Sequence, residues 1–180
     1  DFSAAGVSDT LANLASSGAP TVNLQKIDAK DANVNVSLSA AVTNATAQNV
    51  TDLNAILGAT SGTVTATIDG NVAQLKNVTS NGNSAATNAL TIVVDDVVTA
   101  AEAAAILDLT NASIVKFSAG ITDTFANLVA EGTGAVSANM AKIDAMDPNV
   151  NVTVSDTIAN ATSDNVTDLN ALLAATTGTV

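Results

Sequence analysis

The sequence contains no cysteine, histidine, tryptophan, tyrosine or arginine, and aromatic residues make up 2% of it. Without cysteine there is no disulfide framework and no thiol chemistry. Without histidine, cysteine, tyrosine or arginine, acid–base catalysis falls to aspartate, lysine, Glu102 or Glu131. No paired-carboxylate site stands out beyond Asp95-Asp96, which reads as a turn after a strand. Five lysines face 17 acidic groups, giving a formal charge of −12 and a pI of about 4.1. No basic patch exists to neutralise phosphates, which excludes nucleic acid and disfavours anionic membrane surfaces. Mean hydropathy is +0.36, yet Thr, Asn and Asp break every apolar run before the roughly 18 residues a membrane span needs.

What is abundant is small and aliphatic. At 47% hydrophobic, the chain can bury a substantial core, but that core must be built from Ala, Val, Ile and Leu. A compact domain of this size usually recruits several large aromatics, so thin, regular layers are expected instead.

Residues 27–64 return as residues 143–180, about two thirds identical and 116 positions later. Upstream, Val7-Ser8-Asp9-Thr10-Leu11-Ala12-Asn13-Leu14 matches Ile121-Thr122-Asp123-Thr124-Phe125-Ala126-Asn127-Leu128 at an offset of 114, so a two-residue insertion separates the blocks. A unit that cannot bury its apolar face alone must stack on its neighbours. The organisation predicted is a first superunit over residues 1–116 and a partial second over 117–180, in one continuous array with no separate globular domain. Val180 aligns with Val64 inside a strand, so both ends are expected to be internal to a longer array or trimmed by maturation.

Strand-like segments recur at 33–38, 63–68, 90–94, 113–118 and 149–154, giving four coils per superunit. Val34, Val36 and Leu38 alternate with Asn33, Asn35 and Ser37, the pattern of a half-buried strand. The spacing suits a strand plus a helical return. Thr99 with Glu102 forms a capping box opening an Ala-rich helix to about Leu107, and further helices are expected after Thr51 and Thr167, with Gly58, Gly62 and Gly178 as punctuation. Residues 80–88 read as a loop. The fold class expected is therefore α/β, a parallel β-solenoid with helical returns. Four coils at the strand spacing would advance about 19 Å per superunit, as a twisted rod.

Four polar patterns carry candidate chemistry. Asp28, Asp31, Asn33 and Asn35, repeated as Asp144, Asp147, Asn149 and Asn151, place hard oxygens at alternating positions leading into a strand, and Ca²⁺ is the cofactor such a set would take. The alternative is a turn whose Asp and Asn side chains bond local backbone. Asn13, Asn54, Asn127 and Asn170 recur at fixed points and suit an asparagine ladder that satisfies backbone groups at corners. Asn-x-Ser/Thr triplets at Asn35, Asn44, Asn49, Asn77, Asn111, Asn151, Asn160 and Asn165 are formal glycan acceptors. Thr63, Thr65 and Thr67, flanked by Asn35, Thr91 and Thr153, suit either an ordinary exposed strand face or a water-ordering array.

The block [VI]-[ST]-D-T-[LF]-A-N-L, at 7–14 and 121–128, in a Cys-free background rich in Thr, Asn, Ala and Val, resembles the repeats of very large bacterial secreted and cell-surface proteins of adhesin-like and S-layer-like type. The glycine-rich nonamers of calcium-binding RTX repeats are missing. The resemblance implies an extracellular or cell-surface location and a structural or adhesive, non-catalytic role. Self-association into fibres or tandem arrays is the expected partnership. The alternative is a glycan- or ice-binding solenoid module, which would carry aromatics or a uniform polar stripe. A polysaccharide lyase would need basic and acidic groups in one groove, which the lack of arginine and histidine opposes.

Overall fold

The computed structural model describes residues 6–79, 88–109 and 112–180. In chain order the elements are β1 (Val7–Asp9), α1 (Leu11–Leu14), β2 (Ala15–Ser16), β3 (Ala19–Pro20), α2 (Val22–Asp28), β4 (Val36–Leu38), α3 (Ala47–Ala59), β5 (Val64–Gly70), α4 (Val72–Leu75) and β6 (Ala89–Val94). They continue as α5 (Ala100–Leu109), β7 (Ile114–Phe117), β8 (Ile121–Asp123), α6 (Phe125–Leu128), β9 (Val129–Ala130), β10 (Ala135–Val136), α7 (Ala138–Met146), β11 (Val152–Val154) and α8 (Ser163–Ala175). The fold is mixed α/β with a five-stranded parallel sheet ordered β1-β4-β5-β6-β7. The chain divides into two compact units, residues 1–93 with 109–114 and residues 94–108 with 115–180. No helix among the described residues is long and apolar enough to cross a membrane.

In the first unit, β1 pairs with β4 and β4 with β5, all parallel, with Val7 opposite Val36 and Val36 opposite Val64. The ladder is carried by Val7 N–H to Asn35 O at 2.8 Å and Val36 N–H to Thr63 O at 2.9 Å. Alternation along β5 buries Val64, Ala66 and Ile68 while Thr65 faces out. Val34, Leu53, Ile56, Leu57 and Leu75 complete an aliphatic core, each worth roughly 1.5–3 kcal/mol when fully buried.

In the second unit β8 and β11 pair in parallel, Ile121 opposite Val152, and Val98 bridges to Ile121. Ile121 N–H donates to Asn151 O and Val152 N–H to Thr179 O, both at 2.8 Å, reproducing the ladder of the first copy. Phe117, Phe125, Leu128, Met140, Ile143 and Leu172 are buried here. Gly62 and Gly178 hold the same place in their respective copies. A Cβ at either would strike the carbonyl oxygens of Asn33 and Val34, or of Asn149 and Val150, so the close backbone approach requires glycine.

Two helix starts differ from the sequence expectation. α3 and α8 begin after Thr46 and Thr162, and Thr51 and Thr167 lie inside the helices, their hydroxyls donating to Ala47 O and Ser163 O. The reason is a capping box with asparagine at the third helical position. Asn49 N–H donates to Thr46 Oγ1 and Thr46 N–H to Asn49 Oδ1, and Thr162 with Asn165 repeats both bonds. Gly58 stands within α3 rather than after it, and Ala174 takes its place in α8. The Thr99–Glu102 box is present, with Thr99 N–H donating to Glu102 Oε2 at 2.9 Å and Glu102 N–H to Thr99 Oγ1 at 3.2 Å. β4 and β11 are shorter than the alternation suggests, opening at Val36 and Val152, because Asn33, Asn35 and their repeats turn their side chains to the following segment. Residues 80–87, expected as a loop, and Asn111 lie outside the described residues.

Candidate functional site

The polar residues that recur between the copies join one segment of the chain to the next. The clearest is an aspartate on the long helix of each copy. Asp52 is 7% exposed, and its Oδ1 accepts Gly18 N–H at 2.7 Å and the Gln48 side-chain amide at 2.9 Å. Asp168 is fully buried, its Oδ2 accepting Gly132 N–H at 2.7 Å and its Oδ1 accepting Gly134 N–H at 2.8 Å. Each carboxylate thereby clamps the hairpin of the preceding segment onto its helix. The two-residue insertion falls here. β2 and β3 are joined by Ser17-Gly18, both left-handed at φ 56° and 77°, the geometry of a two-residue type I′ turn. β9 and β10 are joined by the four residues 131–134, with Gly132 and Gly134 at φ 72° and 68°. Hydrogen bonds to a charged acceptor contribute about 1.5–3 kcal/mol each.

A second recurring device is a buried hydroxyl. Thr60 Oγ1 donates to Val34 O at 2.6 Å and accepts Gly62 N–H at 2.9 Å; Thr176 Oγ1 donates to Val150 O at 2.5 Å and accepts Gly178 N–H at 2.9 Å. A third is the aspartate of the D-T-x-A-N-L block. Asp123 Oδ1 accepts Thr124 N–H and the Asn127 amide, while its Oδ2 accepts Ala100 N–H at 3.0 Å, capping α5. Asp9 accepts Thr10 N–H and the Asn13 amide, both at 2.8 Å. The Asn13 amide, with the Thr10 N–H, holds its carboxyl below the usual carboxylate value of 3.8.

The residues expected to bind Ca²⁺ are distributed as follows. Asn35 Oδ1 accepts Thr63 N–H at 2.8 Å, Asn151 Oδ1 accepts Thr179 N–H at 3.0 Å, and Asn33 and Asn149 bond the hydroxyls of Ser61 and Thr177. These are bonds to a segment 28 residues further along the chain rather than to the local turn. Asp147 Oδ2 accepts Phe117 N–H at 2.8 Å, Asp28 and Asp144 lie on α2 and α7, and Asp31 follows α2. No group of three or more His, Cys, Asp or Glu side chains able to hold a metal occurs among the described residues.

Of the four asparagines expected as a ladder, Asn54 donates through Nδ2 to Asn77 O at 2.8 Å and accepts Thr79 N–H at 2.9 Å through Oδ1. Asn13 and Asn127 are exposed and bond the side chains of Asp9 and Asp123, not backbone, and Asn170 is exposed on α8. Among the formal glycan acceptors, Asn44 and Asn160 occupy exposed left-handed positions at φ 51° and 55°, whereas Asn49 and Asn165 serve the capping boxes. The outward row in register is Ser8, Ser37 and Thr65, and Asn35 stands beside Thr63. Asp95 and Asp96 form the bend after β6.

A shallow cavity of about 350 Å³ beside α1 is lined by Thr10, Leu11, Val42, Asn49 and Asp52. Asp52 is its one titratable side chain, already engaged by Gly18. At the corresponding place in the second copy Asp156 replaces Ala40, and its Oδ1 accepts Phe125 N–H at 2.7 Å.

The clamping aspartates were missed by sequence reasoning because an acid inside a helix reads as a solvated face. The available signal was the identical T-D-L-N-A in both copies. No protein-family model, curated protein or solved structure matches the chain.

Proposed function

We propose that this chain is a structural, non-catalytic repeat segment, a parallel α/β solenoid belonging to an extracellular filament, surface layer or adhesin stalk. The observation that carries the reading is that the recurring polar residues are engaged in joining successive segments. Asp52 and Asp168 hold hairpins, Thr60 and Thr176 hold the carbonyls of Val34 and Val150, and Asn35 and Asn151 hold the amides of Thr63 and Thr179, at equivalent places in both copies. A catalytic or ligand-binding surface would leave such groups facing a cleft. The resemblance of the 7–14 and 121–128 blocks to repeats of giant surface proteins supports the location, and the charge of −12 keeps arrays dispersed.

Electron microscopy of the native material tests this. Regular rods with an axial repeat of about 19 Å, four strand spacings, are expected. Discrete particles without that repeat would overturn the reading. Adding Ca²⁺ or a chelator separates an intrinsic array from a metal-bridged one: rods lost on chelation would assign the Asp28 and Asp144 sets to metal, whereas the engagement of their asparagines with Ser61, Thr63, Thr177 and Thr179 favours rods that persist.

A further inference from the structure

The two clamping carboxylates are not used alike. Asp168 gives one oxygen to Gly132 and the other to Gly134. The shorter hairpin of the first copy offers Asp52 a single amide, and both that bond and the one from the Gln48 amide fall on Oδ1. Asp52 Oδ2 therefore has no donor among the described residues, although the residue is only 7% exposed. A carboxylate so far removed from water calls for a second donor, and a cationic one binds it most strongly.

The cavity of about 350 Å³ that Asp52 lines presents two further unfilled groups. In the second copy Phe125 N–H is taken by Asp156 Oδ1 at 2.7 Å. The first copy has Ala40 at the place of Asp156, and the corresponding Leu11 N–H has no acceptor among the described residues. Because Ala40 lines the cavity, Leu11 N–H faces into it. Asn49 commits Oδ1 to the Thr46 cap, which fixes its amide and leaves Nδ2 as a spare donor on the same wall.

Side chains, not cover from elsewhere, make this difference between the copies. Leu11 and Phe125 are 9% and 6% exposed, and residues 40–43 match 156–159 in exposure position by position. What changes is bulk. Leu11, Ala40, Ala41 and Val42 stand where the second copy has Phe125, Asp156, Thr157 and Ile158, and of the lining residues only Thr43 gives way to a smaller one, Ala159.

We propose that this cavity binds a short aliphatic zwitterion, of the class of free α-amino acids. Asp156 shows what Leu11 N–H takes: the ligand carboxylate stands in for it, accepting from Leu11 N–H and Asn49 Nδ2. The ligand ammonium donates to Asp52 Oδ2, and the aliphatic group lies against Ala41 and Val42. The volume suits a ligand of this size. The site goes beyond the structural reading above and does not rest on it. Bonds common to both copies hold the frame, and the cavity is built at positions where the copies differ.

Amide NMR of the full chain titrated with L-valine tests this. The Leu11 amide should shift saturably while the Phe125 amide, held by Asp156, stays still. An unmoved Leu11 amide, or equal shifts at both, overturns the proposal. Isobutylamine and isovalerate carry the same aliphatic group with one charge each. Each should bind more weakly by about tenfold or more, the loss of one charge-assisted contact. Either one matching L-valine would overturn the zwitterion as ligand. Ala40→Asp installs the carboxylate of the second copy and should close the site, with L-valine weakened by about tenfold or more and the α3 amide signals in place. Retained affinity in that variant overturns the site. Asp52→Asn keeps an acceptor for Gly18 and removes the one for the ammonium, so L-valine should fall to the level of isovalerate while isovalerate binding is kept. Undiminished L-valine binding in this variant would overturn the role of Asp52.

Discussion

In the first copy the hairpin turns in two residues and presents one amide to Asp52; in the second it turns over four and presents two amides to Asp168. The helix behind is the same length in both, with the same capping box. The strand ends also agree: Thr21 N–H reaches Leu14 O and Ser137 N–H reaches Leu128 O, each at 2.9 Å. A change in chain length is thus absorbed entirely within the loop, because the carboxylate binds whichever amides the turn offers. The clamp depends on an acceptor at a fixed place on a helix, not on one turn geometry. The other difference lies on the long helices, where Leu57 of α3 is fully buried and its counterpart Leu173 of α8 is 50% exposed.

The largest contrast should come from truncating these two leucines. Leu57→Ala should destabilise the first unit by about 3 kcal/mol, as buried leucine truncations do, and Leu173→Ala the second by less than about 1 kcal/mol. Amide exchange in α3 and α8 measures each locally, and equal losses would break the comparison. Asp168→Asn should come next, at about 2–3 kcal/mol, since the new amide can accept from only one of Gly132 and Gly134 and faces the other with a donor. Asp52→Asn should cost about half as much. A reversed order, read from the same exchange experiment, would show that the number of amides held does not set the strength of the clamp.

Thr176→Val and Thr60→Val sharpen the comparison where the copies agree. Each removes a hydroxyl that both donates and accepts, and each should cost about 1–2 kcal/mol in its own unit. A difference above about 1 kcal/mol between them would mean the two strand junctions are not equivalent. The smallest effect concerns Asp9. Its carboxyl titrates below 3.8 because the folded state hydrogen-bonds the charged form. The associated stability is therefore complete above the unfolded-state value and is lost as pH falls through the lower folded-state value. Following the Asp9 carboxyl carbon by NMR, Asn13→Ala should raise its midpoint towards 3.8, and an unmoved midpoint would discount the side-chain bond.

The repeat and the strands centred on Val64–Gly70 and Ala89–Val94 were legible in the sequence, because β-branched alternation over six or seven residues is a long-enough signal. So was the Thr99–Glu102 cap, which follows the familiar pattern. The helices after Thr46 and Thr162 were displaced because asparagine, not glutamate, closes the box. The hairpins escaped notice since strands of two residues have no period to read. In the D-T-x-A-N-L block the asparagine drew attention, although it only steadies the aspartate. At Asp123 that carboxylate caps a helix 23 residues upstream, a relation no local window contains.

The hairpin loop has one more consequence. All four residues from Glu131 to Gly134 are exposed, while the bonds that fix the hairpin lie behind them in the backbone of Gly132 and Gly134. In each copy, then, outward-facing sequence can be lengthened or exchanged at this turn without disturbing the framework. Surface identity and scaffold are then free to diverge separately, and an epitope grafted at Thr133 would be displayed on an exposed turn whose anchor lies behind it.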